Sequence, residues 1–166
     1  MFRYTIVSFI YLLATACQSQ VQQDKSTKTK EMTYKIQKTD IEWRNELSPA
    51  QFNILREKGT ERPGTGAYNL HYKKGTYTCA GCGTSLFESN NKYDSHCGWP
   101  SFDEAIEGKI RYQKDTSLGR TRTEILCANC GGHLGHIFDD GPRETTGKRY
   151  CVNSLSLDFI KKEDTK

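Results

Sequence analysis

The chain is poor in apolar residues, contains no long apolar run, and carries little excess charge of either sign. Apolar residues make up 35% of its 166 positions and charged residues 27%. This composition suffices for one hydrophobic core and does not fit a polytopic membrane protein. The formal net charge is +4, and the Lys and Arg residues are spread along the chain, whereas nucleic-acid binders usually concentrate them on one element. The charge therefore gives no indication of a nucleic-acid partner.

The most apolar stretch lies at the N-terminus and is too short to cross a bilayer. It covers residues 4–13 behind a single charged residue, Arg3, whereas a spanning helix needs roughly 20 residues. This pattern is typical of a secretory signal. Small residues directly precede Cys17, which resembles the lipobox of bacterial lipoproteins. We expect residues 1–17 to be a signal peptide and Cys17 to be lipidated, so that the protein is exported to the cell envelope or periplasm and anchored to a membrane. The alternative is an ordinary cleaved signal in which Cys17 is incidental.

A polar segment separates this signal from the predicted domain. Residues 18–40 are rich in Gln, Lys, Thr and Ser and cannot bury enough apolar surface to offset the cost of ordering. We expect a disordered tether here and a folded domain over residues 41–166. The sequence Ser-Pro-Ala-Gln at 48–51 predicts a helix start with a capping box, and Gly59 is expected to end that helix.

After this helix the sequence pattern changes to short strands. Strands are predicted at residues 76–78 and 122–126, and apolar residues alternate over 155–160. No long helical pattern separates them. The sequence therefore predicts a mainly β, antiparallel domain with one or two helices at its start.

Cysteine is the abundant residue, with seven copies. The number is odd, so at least one cysteine lies outside any set of pairs. Four of them form two matching C-A-x-C-G motifs: Cys79, Cys82, Cys127 and Cys130. Two such turns can complete a tetrahedral Cys₄ shell around zinc, and a closed shell of this kind is structural. Two local disulfides, which export would favour, and a thioredoxin-like redox pair are the alternatives.

The remaining two cysteines of the domain are candidates for chemistry. A cysteine in a strand is often only a small buried hydrophobe. Cys151, however, has Arg149 two residues before it and Asn153 two residues after it, which places all three on one side of a strand. A nearby guanidinium favours the reactive thiolate. Cys97 lies within the sequence SHCGWPSF.

Two histidines strengthen the hypothesis of a reactive site. His133 and His136 are three residues apart in a Gly-rich segment that we interpret as a loop, and both are expected to point into one cleft. Trp99, next to Cys97, is either a core residue or part of this cleft.

Five segments together resemble a known family. GTERPGTGAY, YTCAGCGTSLF, CGWPSF, RTEILCANCGGHLGHIFDDGP and RYCVNSLSLDF are similar, in order, to the motifs of B-type methionine sulfoxide reductases. The similarity runs from about residue 41 to 160. It implies a fold of two antiparallel β-sheets with small helices packed outside. It also implies reduction of the R epimer of methionine sulfoxide in peptides and proteins, since each reductase type handles one epimer.

The resemblance also implies roles for individual residues. Cys151 would attack the sulfoxide sulfur and become a sulfenic acid. Cys97 would resolve it as a Cys97–Cys151 disulfide, which a thioredoxin-like dithiol would reduce. The remaining implied site residues are His133, His136 and Asn153 at the sulfoxide oxygen; Trp99, Arg149 and Phe138 at the substrate; and Cys79, Cys82, Cys127 and Cys130 at a structural Zn²⁺. With Cys17 as the lipid anchor, all seven cysteines have a role.

Three other functions remain open at this level. The first is a zinc-stabilised, non-catalytic binding module of the same fold. The second is a zinc-ribbon nucleic-acid binder, which the scattered charge and the export signal disfavour. The third is a thiol oxidoreductase that acts on disulfides. One departure from the family pattern is His96, which stands where glycine is usual and for which we expect no role.

Overall fold

The computed structural model describes residues 33–163. The predicted signal peptide at 1–17, the predicted lipidation site Cys17, and residues 18–32 of the predicted tether lie outside the described residues.

Within residues 33–163, two short α-helices precede nine β-strands. The elements are α1 (Asp40–Glu46), α2 (Pro49–Glu57), β1 (Gly75–Cys79), β2 (Ser85–Glu88), β3 (Lys92–Tyr93), β4 (Ser101–Phe102), β5 (Ile110–Asp115), β6 (Arg122–Cys127), β7 (His133–Phe138), β8 (Arg149–Val152) and β9 (Leu157–Lys161). Short 3₁₀ helices lie at Ser89–Asn91, Ser117–Gly119 and Ser154–Ser156. In this described part of the chain, no helix has the length and apolar character needed to cross a bilayer.

The strands form two antiparallel sheets. One has three strands in the order β2-β1-β9, and the other has six in the order β3-β4-β8-β7-β6-β5. All the strand pairs of the two sheets are antiparallel. The prediction of a mainly β fold with two antiparallel sheets and small helices is confirmed.

Aromatic residues join the two sheets across the core. The rings of Phe87 in β2 and Phe102 in β4 are stacked, with centroids 4.3 Å apart and planes 13° apart. Both side chains are fully buried. Such a pair contributes about 0.5–1.5 kcal/mol beyond the burial of its area. Phe52 and Leu55 of α2 enter the same core, so the helix covers it with the face that its spacing predicts.

The predicted start of α2 is confirmed, whereas its end differs by one residue. Ser48 and Gln51 form the expected capping box. The residue with left-handed backbone is Lys58, at a φ of 57°, and not Gly59. A Cβ at position 59 would lie 2.1 Å from Oδ1 of Asn53, so any larger residue there would require the Asn53 side chain to move.

The packed chain begins before the predicted domain boundary. The N–H of Ile36 donates to the carbonyl of Asn129 at 3.0 Å, and the Arg111 guanidinium lies 4.8 Å from the centre of the Tyr34 ring. The last part of the predicted tether, residues 33–40, therefore packs on the domain. Tyr34 and Ile36 make these contacts. The tether was predicted from the average composition of residues 18–40, which does not reveal two isolated apolar residues.

The last strand is shorter than its sequence pattern suggests. Residues 155–160 alternate, but Ser154–Ser156 forms a 3₁₀ helix and β9 begins only at Leu157. Leu157 is buried, whereas Ile160 is exposed, as the alternation predicts. The turn before β9 packs beside the strand that carries Cys151, and it contributes to the site described next.

Candidate active site

The candidate site lies at the centre of the six-stranded sheet. Strand β8 runs between β4 and β7, so that Cys151 pairs with Ser101 on one side and with His136 on the other. A Cβ at Gly135 would lie 2.0 Å from the carbonyl oxygen of Cys151. Glycine at this position therefore lets β7 approach the strand that carries the candidate nucleophile.

A cavity of about 300 Å³ opens beside Cys151. Among the sequence-predicted site residues, those that line it are Cys97, Trp99, His136, Phe138, Arg149, Cys151 and Asn153. Val152 adds further apolar surface. The cavity thus combines two thiols, an imidazole and an apolar wall, as the sequence predicts. His133 is the one member of the predicted set that does not line it.

The two thiols are in contact. Sγ of Cys97 lies 3.7 Å from Sγ of Cys151, and the Ser95 and Ser101 hydroxyls lie 2.9 and 3.5 Å from the Cys97 sulfur. Donation by the Cys151 thiol, followed by these hydroxyls, lowers the pKa of Cys97 to about 4. The same thiol contact and burial raise the pKa of Cys151. The pair therefore holds one proton and one negative charge at neutral pH.

Arg149 favours negative charge on this pair. It lies on the same strand two residues before Cys151, and its guanidinium donates to both carboxylate oxygens of Asp140 at 2.7 and 2.8 Å. The hydrogen bond to Asp140 raises the pKa of Arg149, and its positive charge lowers that of Cys151. The guanidinium also covers the Phe138 ring at 4.4 Å, which fixes one wall of the cavity.

The two histidines lie in a strand and not in a loop, which corrects the sequence interpretation. Residues three apart in a regular strand point to opposite faces. A register shift between Ile125 and Leu126, which pair with Gly135 and His133, inserts an extra residue into β7. The rings of His133 and His136 consequently meet, with centroids 5.6 Å apart. His133 is only 3% exposed and, together with His136, lines a neighbouring depression of about 670 Å³.

A carboxylate that the sequence analysis missed holds His133. Nδ1 of His133 lies 2.7 Å from Oε1 of Glu124, and Nζ of Lys58 lies 2.8 Å from the other oxygen. Burial raises the pKa of Glu124, but the hydrogen bonds from His133 and Lys58 outweigh it and lower the pKa overall. Lys58, which forms this ion pair, is the residue with left-handed backbone at the C-terminal end of α2.

A second missed carboxylate holds His136 in the same manner. Nε2 of His136 lies 2.8 Å from Oδ2 of Asp115, and Arg122 donates to that oxygen at 2.7 Å. The N–H of Ser117 donates to the other oxygen at 2.8 Å. Hydrogen bonds from Ser117, His136 and Arg122 hold the pKa of Asp115 well below its usual range. Burial lowers the pKa of His136, and the bond to Asp115 opposes that shift.

Asn153 lines the cavity, but its side chain is bonded to the backbone. Its Nδ2 donates to the carbonyl of Leu134 at 3.1 Å, and its Oδ1 accepts from the N–H of Glu61 at 3.1 Å. Strand β8 ends one residue earlier, at Val152. The amide thus ties the loop at Glu61 to strand β7 and keeps one N–H free of these bonds.

Glu61 is a third residue that the sequence analysis missed. Its buried carboxylate accepts from the N–H groups of Ser154 and Leu155 at 2.6 and 3.2 Å. Its carbonyl accepts from the Trp99 indole at 3.1 Å. Glu61 therefore fixes the aromatic wall of the cavity. The only signal in the sequence is its place in GTERPGTGAY, since an isolated glutamate carries no pattern of its own.

The four cysteines of the two C-A-x-C-G motifs converge on one point. Their sulfur atoms all lie within 4.8 Å of one another, and the pairs Cys79–Cys130 and Cys82–Cys127 are 3.7 and 3.6 Å apart. A tetrahedron with metal–sulfur bonds of about 2.3 Å has edges of about 3.8 Å, so the cluster fits a metal ion. All four thiols are free, which argues against the alternative of two local disulfides.

A glycine with left-handed backbone shapes each of the two turns of the four-cysteine cluster. Gly83 and Gly131 have φ values of 71° and 73°. Each donates its N–H to the carbonyl of the first cysteine of its motif, at 2.8 and 2.9 Å. His96 also has a left-handed backbone, with a φ of 56°, which explains why glycine is usual there. Its side chain is 87% exposed.

The comparisons with known proteins agree with one another on the family. A family model described as "SelR domain" matches residues 47–161. A curated relative from Leptospira interrogans, named "Peptide methionine sulfoxide reductase MsrB", is 56% identical over 131 residues, which is 78% of this chain and 99% of the relative. Proteins of the same name from Variovorax paradoxus (56% identity, 79% of this chain, 100% of the relative) and Methanosarcina mazei (52%, 79% and 94%) match similarly.

The fold and the family model define a protein of the SelR-domain class. The chain belongs to the MsrB family of peptide methionine sulfoxide reductases. Among solved structures, the "Yippee-like" domain of Mis18 aligns with 55% of this chain and all of that chain, at 17% identity and a TM-score of 0.45. That likeness is too slight to bear on function.

Proposed function

We propose that the protein reduces the R epimer of methionine sulfoxide in peptides and proteins, through a Cys151 sulfenic acid and a Cys97–Cys151 disulfide. The observation that carries this proposal is the contact of the two thiols, 3.7 Å apart, in a cavity that also contains His136 and an apolar wall. The names of the curated relatives give the same reaction class.

In the first step, the Cys151 thiol passes its proton to the Cys97 sulfur 3.7 Å away, and the resulting Cys151 thiolate attacks the sulfoxide sulfur. The sulfoxide oxygen gains a proton and is transferred to the Cys151 sulfur, methionine leaves, and the sulfoxide is reduced by the two electrons that the thiol loses. His136 is the cross-strand neighbour of Cys151, so it is well placed to deliver the proton. Asn153 also lines the cavity and has an amide N–H left to donate to the oxygen, whereas His133 lies outside the cavity and packs against the His136 ring. Preorganised donors of this kind stabilise charge in the transition state.

In the second step, Cys97 attacks the sulfenic sulfur. An S–S bond forms, the S–O bond breaks, and the oxygen leaves as water with the proton of the thiol. A disulfide bond is about 2.0 Å long, so the two sulfur atoms must approach by about 1.7 Å from their separation of 3.7 Å. An external thioredoxin-like dithiol then reduces this disulfide by thiol–disulfide exchange and is itself oxidised.

The apolar wall selects the substrate. Trp99, Phe138 and Val152 line the cavity and can enclose the methyl group and thioether chain. Reductases of methionine sulfoxide handle one epimer each, and the resemblance to the B type assigns the R epimer to this chain. Repair of this kind restores an apolar side chain where oxidation has made it polar.

The four-cysteine cluster is proposed to hold a structural Zn²⁺. Four thiolates with tetrahedral separations suit zinc and leave no open coordination position. When bound, the ion supplies a cross-link between the turn after β1 and the turn after β6. The cysteines of this cluster take no part in the reaction.

Export and lipid anchoring complete the proposal for the whole chain. Residues 1–17 would act as the signal, Cys17 would carry the lipid, and the following segment would space the reductase domain from the membrane. Replacing Cys17 by Ser should then release the protein from the membrane fraction of the cell envelope. Unchanged membrane association of that variant would contradict the lipid anchor.

A single-turnover experiment without reductant tests the assigned roles. A Cys97→Ser variant mixed with a methionine sulfoxide peptide should form one equivalent of methionine and retain one oxygen atom on Cys151, detected by mass spectrometry after dimedone labelling. The wild type should instead form the Cys97–Cys151 disulfide, and Cys151→Ser should be inert. A lack of methionine formation in both the wild type and Cys97→Ser would contradict the enzyme proposal and favour the binding module.

A further inference from the structure

The imidazole that lines the cavity is part of a chain of charged groups. His136 contacts Asp115 through Nε2 at 2.8 Å, and Asp115 contacts Arg122 at 2.7 Å. All three side chains are largely buried, with 14–18% of each exposed. The last residue of β5 and the first of β6 thus meet beside the imidazole, and Arg122 lines the same cavity as His136 and Cys151.

This geometry fixes which ring nitrogen serves the cavity. Asp115 is ionised and can only accept, so Nε2 of His136 carries a proton that points at the carboxylate. Nδ1 is therefore the ring nitrogen left for a ligand in the cavity. Neutral His136 offers only a lone pair there, so it can donate to a sulfoxide oxygen only as the imidazolium. The carboxylate behind the ring stabilises that charged form.

The other charges around the ring act in the opposite direction. Burial, Arg122 and His133 all lower the pKa of His136, and Asp115 is the group that raises it. Arg149 and the Cys97–Cys151 pair face it across the cavity. Without Asp115, the imidazolium would have a cation at Arg122 beside it and no opposite charge in direct contact.

We propose that Asp115 is the positioning residue of the reaction: it fixes the tautomer of His136 and keeps its imidazolium accessible, so that Nδ1 can protonate the sulfoxide oxygen while Cys151 attacks sulfur. This inference rests on the proposed function. Proton balance is simple, since Nδ1–H passes one proton to the oxygen and solvent restores it in the next cycle. Asp115 itself stays ionised and touches no substrate atom. Ser117 and Arg122 hold the carboxylate in place.

The charge-neutral variant Asp115→Asn tests this role. We expect the pKa of His136 to fall by about one unit or more, as expected when an opposite charge in contact is lost. The alkaline limb of the kcat/KM profile should move to lower pH by the same amount. At a pH above the pKa of His136, a shift of one unit corresponds to a decrease of about ten-fold in kcat/KM. Asp115→Glu keeps the charge and should restore part of the shift. Asp158→Asn, an exposed change of the same charge on β9, should leave both readouts unchanged.

Two readouts keep the test independent of the proposed function. NMR titration of the His136 ring, assigned by its absence in His136→Gln, measures its pKa without any turnover. The dispersion of the same spectra shows that each variant is folded. A His136 pKa that moves by less than about 0.3 units in Asp115→Asn, or a kcat/KM limb that does not follow it, overturns the inference. A wild type that reduces neither sulfoxide epimer refutes the proposed function instead, whatever the NMR titration shows.

Discussion

Glu61 offers the sharpest structural prediction, because one buried carboxylate supports both the fold and the aromatic wall of the cavity. Replacing it by Ala leaves the N–H groups of Ser154 and Leu155 without their acceptor. An unsatisfied buried N–H costs about 1–3 kcal/mol, so we expect a loss of about 2–6 kcal/mol for the two groups. For a domain of this size, that loss lowers Tm by roughly 10 °C.

The same variant should weaken substrate binding. The Trp99 indole donates to the carbonyl of Glu61, and a loop released from Ser154 no longer holds that carbonyl in place. We expect KM for a sulfoxide peptide to rise more than kcat falls, because the proposed role of Trp99 is to bind the substrate and not to act on the reacting bond.

Calorimetry and steady-state kinetics measure these effects. Glu61→Gln keeps one carbonyl acceptor, so its loss of stability should be about half of the loss in Glu61→Ala. Glu107→Ala, at an exposed glutamate, should stay within about 0.5 kcal/mol of wild type. If Glu61→Ala melted within about 1 °C of wild type, the reasoning from buried hydrogen bonds would be refuted.

Three further predictions concern the thiols, the metal and a buried lysine. Iodoacetamide should alkylate the Cys97–Cys151 pair rapidly down to about pH 4, because hydrogen bonds lower the pKa of Cys97 to about 4. Site-resolved mass spectrometry measures the alkylation rate at each pH, and a half-maximal rate near pH 8.5 would contradict this prediction. Elemental analysis should find zinc in wild type and little in Cys127→Ser, which should also melt more than about 10 °C lower, because metal binding contributes to folding; a zinc-free wild type of the same stability speaks against the metal. Burial lowers the pKa of Lys92 to about 8. Between about pH 8 and about pH 10.4, the unfolded chain therefore binds more protons at this residue than the folded protein does. The stability of the fold should consequently rise with pH across that window. Urea unfolding of Lys92→Met relative to wild type should lack that rise, and a parallel pH dependence of the two proteins would be the contrary result.

Local sequence signals predicted the parts of the site that depend on short spacings. The two C-A-x-C-G motifs each form a complete turn, so their geometry is contained in five residues. The capping box of α2 is local in the same sense. Arg149 and Cys151 share a strand face because the period of a strand is two residues.

The supporting carboxylates could not be predicted in this manner. Asp115 and His136 are 21 positions apart, and Glu61 and Ser154 are 93 apart. Their contacts exist only once β5, β6 and β7 are paired and the loop before β1 is docked. Asp and Glu are common surface residues, so nothing in their local sequence distinguishes these copies.

The histidine pair shows a different limit. The glycine-rich sequence around the two histidines suggested a loop, because glycine weakens a strand. The structure instead has a strand, and the extra residue in β7 places the two histidine side chains near each other although they are three residues apart. A bulge of this kind depends on the partner strand as much as on its own sequence. The two rings therefore meet, but only the His136 ring also lines the cavity beside Cys151.

The most direct test of the central claim is stereochemical. Purified wild-type protein and Cys151→Ser would be given dithiothreitol and a peptide with one methionine sulfoxide, resolved into its R and S epimers, and methionine would be followed by chromatography. The account predicts turnover of the R epimer alone, with none in the variant. Equal reduction of both epimers, or turnover that survives in Cys151→Ser, would contradict it.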